Sequence, residues 1–470
     1  MLSAPAIAAI LKEEGFARLP RRRDEERPQR PGPEKAAIAN VAALDLEPRD
    51  FRTQFGGLFL FVPYLVEIGF ERIIRQAGLP GSTMVPAAHA MRSLLALKLY
   101  GRGRHSHVMS YVMDEGLALF AGLNVIPKRS FLTEYSCRIC PSSYPKLMRH
   151  WFDSLGPLGL SRGSSFDLDF HTIPFHGEEA LVEKHYVSKR SRRQKGILGF
   201  LVRDADKNLL CYANADIRKD VQNDEILRFV DFWHKRTGKF PEELIFDSKL
   251  TTYANLNRLN EKGIAFITLR RRGPRLIEEI NALSPSAWRR IELEGVGRAY
   301  RTPRIFEKRI TLGGYEAPIR QIFVADLGHE EPTVLLTNQM NRSAGKLISR
   351  YAQRMVIENA IADGIDFFHM DALSSAVAMK INCDLQLTLM ADSLYRLLGA
   401  EIGNGYETAK SRHLFRDFVE AVAHISIDPR EIHVHFQKRA HNPMLLAARF
   451  QNKTLHIPWL ANRRLTLTFG

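Results

Sequence analysis

Four acidic residues stand at places in the chain where carboxylates do chemistry. Asp167 and Asp169 alternate with apolar residues, Asp247 follows a short apolar run, and Glu358 lies in an amphipathic stretch. Carboxylate oxygens are the ligands that Mg²⁺ prefers in proteins. Two such ions, held about 3.5–4 Å apart, stabilise the attacking and leaving oxygens in phosphoryl transfer. These residues therefore predict a metal-dependent reaction at a phosphate group.

The first ligand position has two candidates. In the segment SSFDLDF, strand alternation places Asp167 and Asp169 on one face and the apolar residues on the other. One face then carries carboxylates and the other joins the core. Alternation alone does not separate the two aspartates, so both remain candidates at this point.

The elements that must hold these carboxylates follow one another in an informative order. Three segments have the apolar patterns of strands, and helix, strand, helix and strand patterns follow them. This is the order of an RNase H-like fold, and it places Asp247 at the carboxyl edge of the sheet, where α/β proteins usually build their sites. The segments are SSFDLDF, GILGFLV, LLCYANADI, NDEILRFVDFWHKRTG, ELIFD, TTYANLNRLNEKG and IAFITLR.

The last carboxylate is predicted to lie on a helix. A long amphipathic helix begins near Ala344, and on it Tyr351, Arg354 and Glu358 are three and four residues apart. Residues with this spacing share one helix face. Glu358 can therefore face the strand carboxylates with a tyrosine and an arginine beside it.

The pattern changes along the chain indicate an α/β protein of several parts. Residues 18–35 combine five prolines or glycines with dense mixed charge, which is typical of a flexible arm. The predicted parts are a flexible basic arm (1–40), a helical N-terminal domain for DNA binding or dimerisation (41–160), an RNase H-like mixed-sheet catalytic core (161–270 and 339–400), an inserted β-rich subdomain (271–338) and a C-terminal region that ends in strands (401–470).

Three segments resemble the acidic motifs of a known enzyme family. LDFHTI, IFDSKLTTYANL and YAQRMVIEN are similar to those of DDE transposases from bacterial insertion sequences, particularly the group with a β-rich insertion before the final Glu. The resemblance spans residues 164–398, and because it centres on DFHTI it favours Asp169 over Asp167. The separation of Asp247 from Glu358, 358 − 247 = 111 residues, agrees with an inserted subdomain.

The last motif of this family has Tyr, Arg, Glu and Lys at offsets 0, 3, 7 and 14. Tyr351, Arg354 and Glu358 match the first three positions, whereas Ile365 stands at the position of the Lys. The resemblance implies that Asp169, Asp247 and Glu358 are the catalytic metal ligands. It also implies that Tyr351 and Arg354 position the phosphates of the transposon end.

The activity implied by the resemblance is that of an Mg²⁺-dependent DNA transposase, with Mn²⁺ able to substitute. Metal-activated water cuts the strand at the end of the element, and the freed 3′-OH then attacks target DNA in a transesterification. The implied partners are double-stranded DNA, as transposon ends and as target, and further copies of the chain in a homodimer or larger synaptic assembly. Two alternatives are a catalytically silent DNA-binding protein derived from a transposase and a metal-dependent DNA nuclease with the same fold.

Further residues are candidates for contacts to DNA. The basic run SKRSRRQK lies between the first two strands, where it either binds a DNA backbone or forms a solvated loop. The same two alternatives apply to Arg270 and Arg271 at the end of IAFITLR. Related enzymes stack a flipped base on a tryptophan of the insertion, so Trp288 either does this or packs in the core. The basic candidates are Lys189, Arg190, Arg192, Arg193, Arg270 and Arg271.

The bulk composition is compatible with a DNA-binding protein. The chain carries 67 Lys and Arg against 52 Asp and Glu, a formal net charge of +15. Such a balance favours a polyanionic partner, because phosphate neutralisation drives affinity for nucleic acid. No apolar run is long enough to cross a bilayer, and four cysteines are too few for a disulfide scaffold. We therefore expect a cytoplasmic, nucleoid-associated protein without a membrane partner.

Overall fold

The computed structural model describes residues 4–15, 44–174, 184–187, 192–248, 250–293, 301–326, 332–372 and 378–470. The chain divides into two compact units, Met1–Asn40 and Val41–Gly470. The first unit contains one described helix, Ala4–Glu13, within the stretch predicted to be a flexible arm. All other described helices and strands belong to the second unit. No helix in the described ranges combines the length and the apolar character needed to span a membrane.

The helices and strands are numbered in chain order. The helices are α1 (Ala4–Glu13), α2 (Val62–Glu67), α3 (Phe70–Ala77), α4 (Ala87–Leu99), α5 (Glu115–Ala121), α6 (Arg129–Arg138), α7 (Ser143–Ser154), α8 (Glu225–Thr237), α9 (Tyr253–Glu261), α10 (Pro274–Asn281), α11 (Ala344–Gln353), α12 (Met355–Asp366), α13 (Ala378–Ile402), α14 (Ser411–Leu414) and α15 (Asn442–Ala447). The strands are β1 (Arg49–Thr53), β2 (Ser165–Pro174), β3 (Lys184–Val187), β4 (Arg192–Asp204), β5 (Leu209–Asn214), β6 (Glu243–Phe246), β7 (Ala265–Leu269), β8 (Arg289–Arg290), β9 (Arg304–Leu312), β10 (Tyr315–Ala325), β11 (Thr333–Thr337), β12 (Ala423–Ile427), β13 (Glu431–Phe436), β14 (Leu455–Ile457) and β15 (Arg463–Phe469).

The central sheet has the topology of an RNase H-like core. Its strands are ordered β5-β4-β2-β6-β7, with β2, β6 and β7 parallel and β4 antiparallel to both of its neighbours. Helix α8 connects β5 to β6, and α9 connects β6 to β7. The predicted fold class, an α/β protein with an RNase H-like mixed sheet, is therefore confirmed.

The β-rich stretch between β7 and α11 continues this sheet. Strand β11 pairs antiparallel with β7, and β10, β9 and β8 follow outward in antiparallel order. The inserted strands thus hydrogen-bond to the core through β7 in one continuous ladder. Of the described residues 289–293, Arg289–Arg290 forms β8, and α10 lies in the same stretch.

A second sheet joins the two ends of the larger unit. Its order is β1-β12-β13-β15-β14, so a strand from the predicted helical N-terminal part pairs with the C-terminal strands. Side chains strengthen this connection: the Trp151 indole donates to the Ser393 hydroxyl at 2.9 Å, and the Trp459 indole donates to the Phe120 carbonyl at 3.2 Å. One continuous hydrophobic core runs through the helices, the central sheet and the C-terminal sheet.

Local signals in the sequence explain several helix ends. Gly238 ends α8 with a φ of 72°, a left-handed conformation that favours glycine. The Thr252 side chain caps α9 by accepting a hydrogen bond from the Asn255 amide, and Ser343 caps α11 in the same way. The long helix predicted from near Ala344 is instead two helices, α11 and α12, which meet at Arg354.

The two faces of the central sheet pack against different helices. Leu168 and Phe246 lie in the large core, whereas Ile245 lies in a second cluster with Leu347 and Ile348 of α11. Because side chains alternate along a strand, the odd-numbered residues of β2 and β6 face α11. The carboxylates of β2 and β6 are on this second face.

Buried ion pairs fix α11 to this face of the sheet. Asp167 is fully buried and lies 2.6 Å from the Arg203 guanidinium and 2.9 Å from that of Arg350. The contact with Arg350 Nη1 lacks hydrogen-bond alignment, so it is electrostatic. Arg350 Nε also binds Glu243 at 3.1 Å, and its Nη2 donates to the Ser165 hydroxyl at 2.9 Å. Arg350 therefore connects α11 to β2 and β6 together.

This network predicts a large loss of stability when Arg350 is removed. We expect Arg350→Met to lower the free energy of unfolding by about 3 kcal/mol, because Asp167 and Glu243 stay buried with one counter-charge fewer. Urea denaturation measures this change. The control is Arg464→Met, which breaks an exposed pair with Glu431 and should cost less than about 1 kcal/mol. Equal losses in the two variants would contradict the role given to Arg350.

Candidate catalytic site

Asp169 and Asp247 lie at neighbouring positions on adjacent parallel strands. The register pairs Asp167 with Ile245 and Leu168 with Phe246, so Asp169 and Asp247 are the next residues in line. Adjacent strands lie about 4.8 Å apart, and residues in register point to the same face. Both carboxylates therefore lie on the α11 face where the β2–β6 ladder ends: Asp247 directly follows β6, and Asp169 lies in the middle of β2. The pairing of β2 with β6 therefore brings Asp169 and Asp247, two of the three predicted ligands, side by side.

Arg354 connects this pair to the third carboxylate. Its Nη1 lies 3.3 Å from Asp169 Oδ2, and its Nη2 lies 3.4 Å from Glu358 Oε1. The guanidinium also lies over the Tyr351 ring, 5.6 Å from its centroid. Arg354 stands at the junction of α11 and α12, so the break between the helices directs Arg354 and Glu358 towards the strand carboxylates.

Electrostatic interactions link all three carboxylates to Arg354. Burial raises the pKa of Asp169 to about 6; Arg354 and the Phe170 amide oppose this rise, and Glu358 and Asp247 add to it. Burial lowers the pKa of Arg354, but its neighbours Tyr351, Asp169, Glu358 and Asp247 more than offset this, and the net shift is upward. The site is thus a cluster of negative charge around one arginine.

Tyr351 takes part in the same electrostatic cluster. Burial raises the pKa of its phenol to about 12, with further upward effects from Asp247 and Asp169 and a downward effect from Arg354. The phenol therefore keeps its proton at neutral pH and is a hydrogen-bond donor. Its ring contacts the cluster under α11, so this face of the helix is held in place by packing.

Asp167 and Asp169 lie on one face of β2 but have different surroundings. Asp167 is fully buried and faces Arg203 and Arg350, whereas the Asp169 side chain is 24% exposed and faces Arg354. A carboxylate enclosed by two arginines has its charge balanced within the fold. Asp169 is the aspartate that remains accessible, which supports its choice as the first ligand.

The three carboxylates are suitable donors for a divalent ion, but the Arg354 guanidinium lies between those of Asp169 and Glu358. Three hard oxygen donors around one position match Mg²⁺ chemistry. Within the described ranges, however, no three His, Cys, Asp or Glu side chains are grouped closely enough to hold a metal ion. The guanidinium separates Asp169 from Glu358 and supplies the positive charge in this arrangement. The three carboxylates have the chemistry of metal ligands. For all three to hold one ion, the Arg354 guanidinium must move away from Asp169 and Glu358.

The basic run predicted to contact DNA is only partly described. Lys189 and Arg190 lie outside the described residues. Arg192 and Arg193 lie in β4, paired with β3, and their side chains are outside the described set. The loop interpretation of these two residues is therefore wrong, because they extend β4 in a hairpin with β3.

The other predicted DNA contacts lie in the β-rich stretch. Arg270 donates to the Gln321 side-chain oxygen, and Arg271 is exposed. Trp288 is partly buried against a small apolar cluster around α10, and the Arg304 guanidinium lies 5.9 Å from its ring. These contacts agree with a packing tryptophan. No described contact joins Trp288 to the cluster around Arg354.

Ile365 occupies the position where the transposase motif has Lys. It is buried on α12 and belongs to the large core. This face of the helix therefore packs inward. The position has no access to a ligand at the sheet edge.

Sequence analysis did not identify Arg203, Arg350 and Glu243 as parts of this region. Arg350 and Arg354 are four residues apart on α11, and Asp167 and Asp169 are two apart on β2. Both spacings correspond to about 6–7 Å along their elements. The two arginines therefore meet the two aspartates in pairs, and this matched spacing is the signal that could have identified the buried network.

Comparisons with known proteins add little to this description. No protein-family model matches the chain, and no curated protein matches it. Among solved structures, the chain is similar to a piggyBac transposase in a synaptic complex with hairpin DNA, studied by cryo-EM. The identity is 12%, the TM-score is 0.42, and the match covers 77% of this chain and 80% of that one. At these values the likeness supports no inference about function.

The raised pKa of Asp169 predicts a pH-dependent stability. Because the folded protein binds this proton more tightly than the unfolded chain, the stabilisation is present below about pH 4 and is lost as the pH rises through about 6. Relative to Asp169→Asn, the wild-type free energy of unfolding should fall by about 2–3 kcal/mol between pH 4 and pH 7. Urea denaturation at several pH values tests this. A constant difference between the two proteins would contradict it.

Proposed function

We propose that this protein is a DNA transposase of the DDE type. It binds the ends of its mobile element, cleaves DNA with metal-activated water and joins the freed 3′-OH to target DNA. The observation that carries the proposal is the side-by-side placement of Asp169 and Asp247 where the β2–β6 ladder ends, with Glu358 linked to Asp169 through Arg354. The RNase H-like topology and the net charge of +15 support it.

In this proposal Asp169, Asp247 and Glu358 hold Mg²⁺, and Mn²⁺ can substitute. The bound metal supplies the charge that activates water and stabilises the leaving oxygen. Arg354 then leaves the carboxylates and binds a phosphate oxygen of the DNA, for which its planar guanidinium is well suited. The protonated Tyr351 phenol donates a hydrogen bond to the same phosphate group. A homodimer or larger assembly brings two ends together.

The reaction is tested with DNA that carries the element's flanking sequences and Mg²⁺. We expect 3′-OH nicks at the element's ends and joined products, and Asp247→Asn should lower cleavage about a hundredfold or more. Nicks without joined products would indicate a nuclease instead of a transposase. Unchanged cleavage by Asp247→Asn would show that the ligand assignment is wrong.

The choice of Asp169 over Asp167 needs variants that preserve side-chain size. We expect Asp169→Asn to abolish cleavage and Asp167→Asn to retain it per folded molecule, because Asp167 contacts arginines of the fold. The folded fraction of each variant is measured by circular dichroism. Equal loss of cleavage in two folded variants would contradict the choice.

The position of Arg354 predicts competition with the metal. Because its guanidinium lies against Asp169 and Glu358, we expect Arg354→Gln to bind Mn²⁺ about tenfold more tightly without DNA, a gain of roughly 1.4 kcal/mol. Isothermal titration calorimetry measures this affinity. Arg342→Gln is the matched control, since Arg342 pairs with Glu243 away from the three carboxylates. Equal affinities would exclude competition, and no binding by any of the proteins would exclude the metal site.

A further inference from the structure

A basic groove lies outside the candidate catalytic site. It has a volume of about 440 Å³ and is formed by α7, α8, the carboxyl end of β5 and Asn382 of α13. This volume is in the range of sites that enclose a small ligand or part of a larger one. None of the residues discussed above as metal ligands lines it.

Four cations surround the groove. Lys146 and Arg149 are three residues apart on α7, and Arg228 and Lys235 are seven apart on α8, so each pair shares one helix face. All four are exposed. Arg228 lies 3.2 Å from the buried Glu225 carboxylate. In the part of the chain that the structure describes, the other three make no ion pair.

The remaining charges leave the groove positive. Two carboxylates, Asp216 and Asp231, line it together with the four cations, so the lining carries a net charge of +2 (4 − 2). Three cations that form no ion pair with any described residue, set in a concave surface, favour an anionic ligand with several charges. A nucleic acid backbone has this property.

Two aromatic residues line the groove. Phe232 is partly exposed, and its ring centroid lies 5.0 Å from that of Tyr212. Aromatic side chains next to cations bind unpaired bases by stacking. A base within a duplex is stacked between its neighbours and reaches such a ring only after unpairing. The combination of Phe232 and the cations therefore suits a single strand.

The groove lies along β5, two strands away from the strand that holds Asp169. Asn214 lines the groove and pairs with Phe200 of β4, which in turn pairs with Phe170, the residue after Asp169. Two strand spacings, about 10 Å, separate Asn214 from Phe170. Helix α8 packs on the face of the sheet opposite to Asp169, so a DNA strand that occupies both the groove and the candidate catalytic site passes around β5.

We propose that this groove binds an unpaired segment of the DNA on which the protein acts. Its phosphates lie against Lys146, Arg149 and Lys235, and one base stacks on Phe232. The inference rests on the proposed function and adds a second contact surface for the same substrate. It assigns DNA binding to α7, which lies in the helical N-terminal part predicted for DNA binding or dimerisation, and to α8, which lies in the predicted catalytic core.

A charge-reversal variant tests the phosphate contacts. The groove variant carries Lys146→Glu, Arg149→Glu and Lys235→Glu, and binding to a fluorescent single-stranded oligonucleotide is measured by anisotropy at several salt concentrations in EDTA. We expect at least a tenfold loss of affinity and a salt dependence that is shallower by about two, since each lost contact removes about 0.7 from the slope.

The stacking contact is tested separately by Phe232→Ala. This variant should lose about tenfold in affinity for the single strand, the effect of one unstacked base, without a change in salt dependence. Its affinity for a duplex of the same sequence should stay at the wild-type value. Thermal unfolding followed by circular dichroism verifies that both variants are folded.

A matched control separates local contacts from net charge. Lys207→Glu, Lys239→Glu and Lys262→Glu change the net charge equally, and these exposed lysines do not line the groove. The control should keep single-strand affinity within about threefold, because none of these three lysines is among the residues that line the groove. Equal losses in control and groove variants would overturn the inference.

The assay separates the groove from the proposed function because it requires no metal and no cleavage. If the wild type binds DNA and the groove variants bind it equally well, the groove inference is wrong and the proposed function stands. If the wild type binds neither single-stranded nor duplex DNA, both are wrong. If the groove variants lose affinity while Asp247→Asn still cleaves DNA, the groove binds DNA and the assignment of the metal ligands is wrong.

Discussion

The position of α11 depends on the buried charges that connect it to the sheet. Arg350 reaches β2 through Asp167 and β6 through Glu243, and it is itself buried. An ion pair in the interior tolerates little displacement, because each charge that loses its partner is left without water. Helix α11 is therefore fixed in register with the strands. Arg354, one helical turn further on, comes to lie opposite Asp169 for the same reason.

This arrangement gives the two aspartates of one strand face different surroundings, since Asp167 is enclosed by the fold and Asp169 is partly exposed. Asp167 is neutralised by Arg203 and Arg350. Asp169 faces Arg354, which lies at the junction of α11 and α12. A side chain at a helix junction can change its position at less cost than one within a packed helix. The same strand thus combines a buried ion pair at Asp167 with a partly exposed one at Asp169, two residues apart.

The fold followed from the sequence more completely than the site did. Alternating and continuous apolar runs identified the core strands and α8 and α9, because these patterns are local. The pairing of β11 with β7 and of β1 with β12 was not predicted, since it joins distant segments whose patterns are equally compatible with separate subdomains. The break at Arg354 was also missed. No Pro or Gly marks it, and the two helices together have the pattern of one. Arg203 carries no signal of its burial, and the signal for Arg350 lies only in its spacing from Arg354, which matches that of the two aspartates.

The pairing of β1 with β12 has a consequence for how the chain folds. Asp50 and Ser426 are partners in this ladder although 376 residues separate them. Contacts between such distant segments form late, because closing a long loop must come before the contact itself stabilises the fold. During synthesis the N-terminal helices leave the ribosome long before β12 exists. Their core is completed only when β12 and the strands beyond it have been made, so the larger unit reaches its final state after translation of this region.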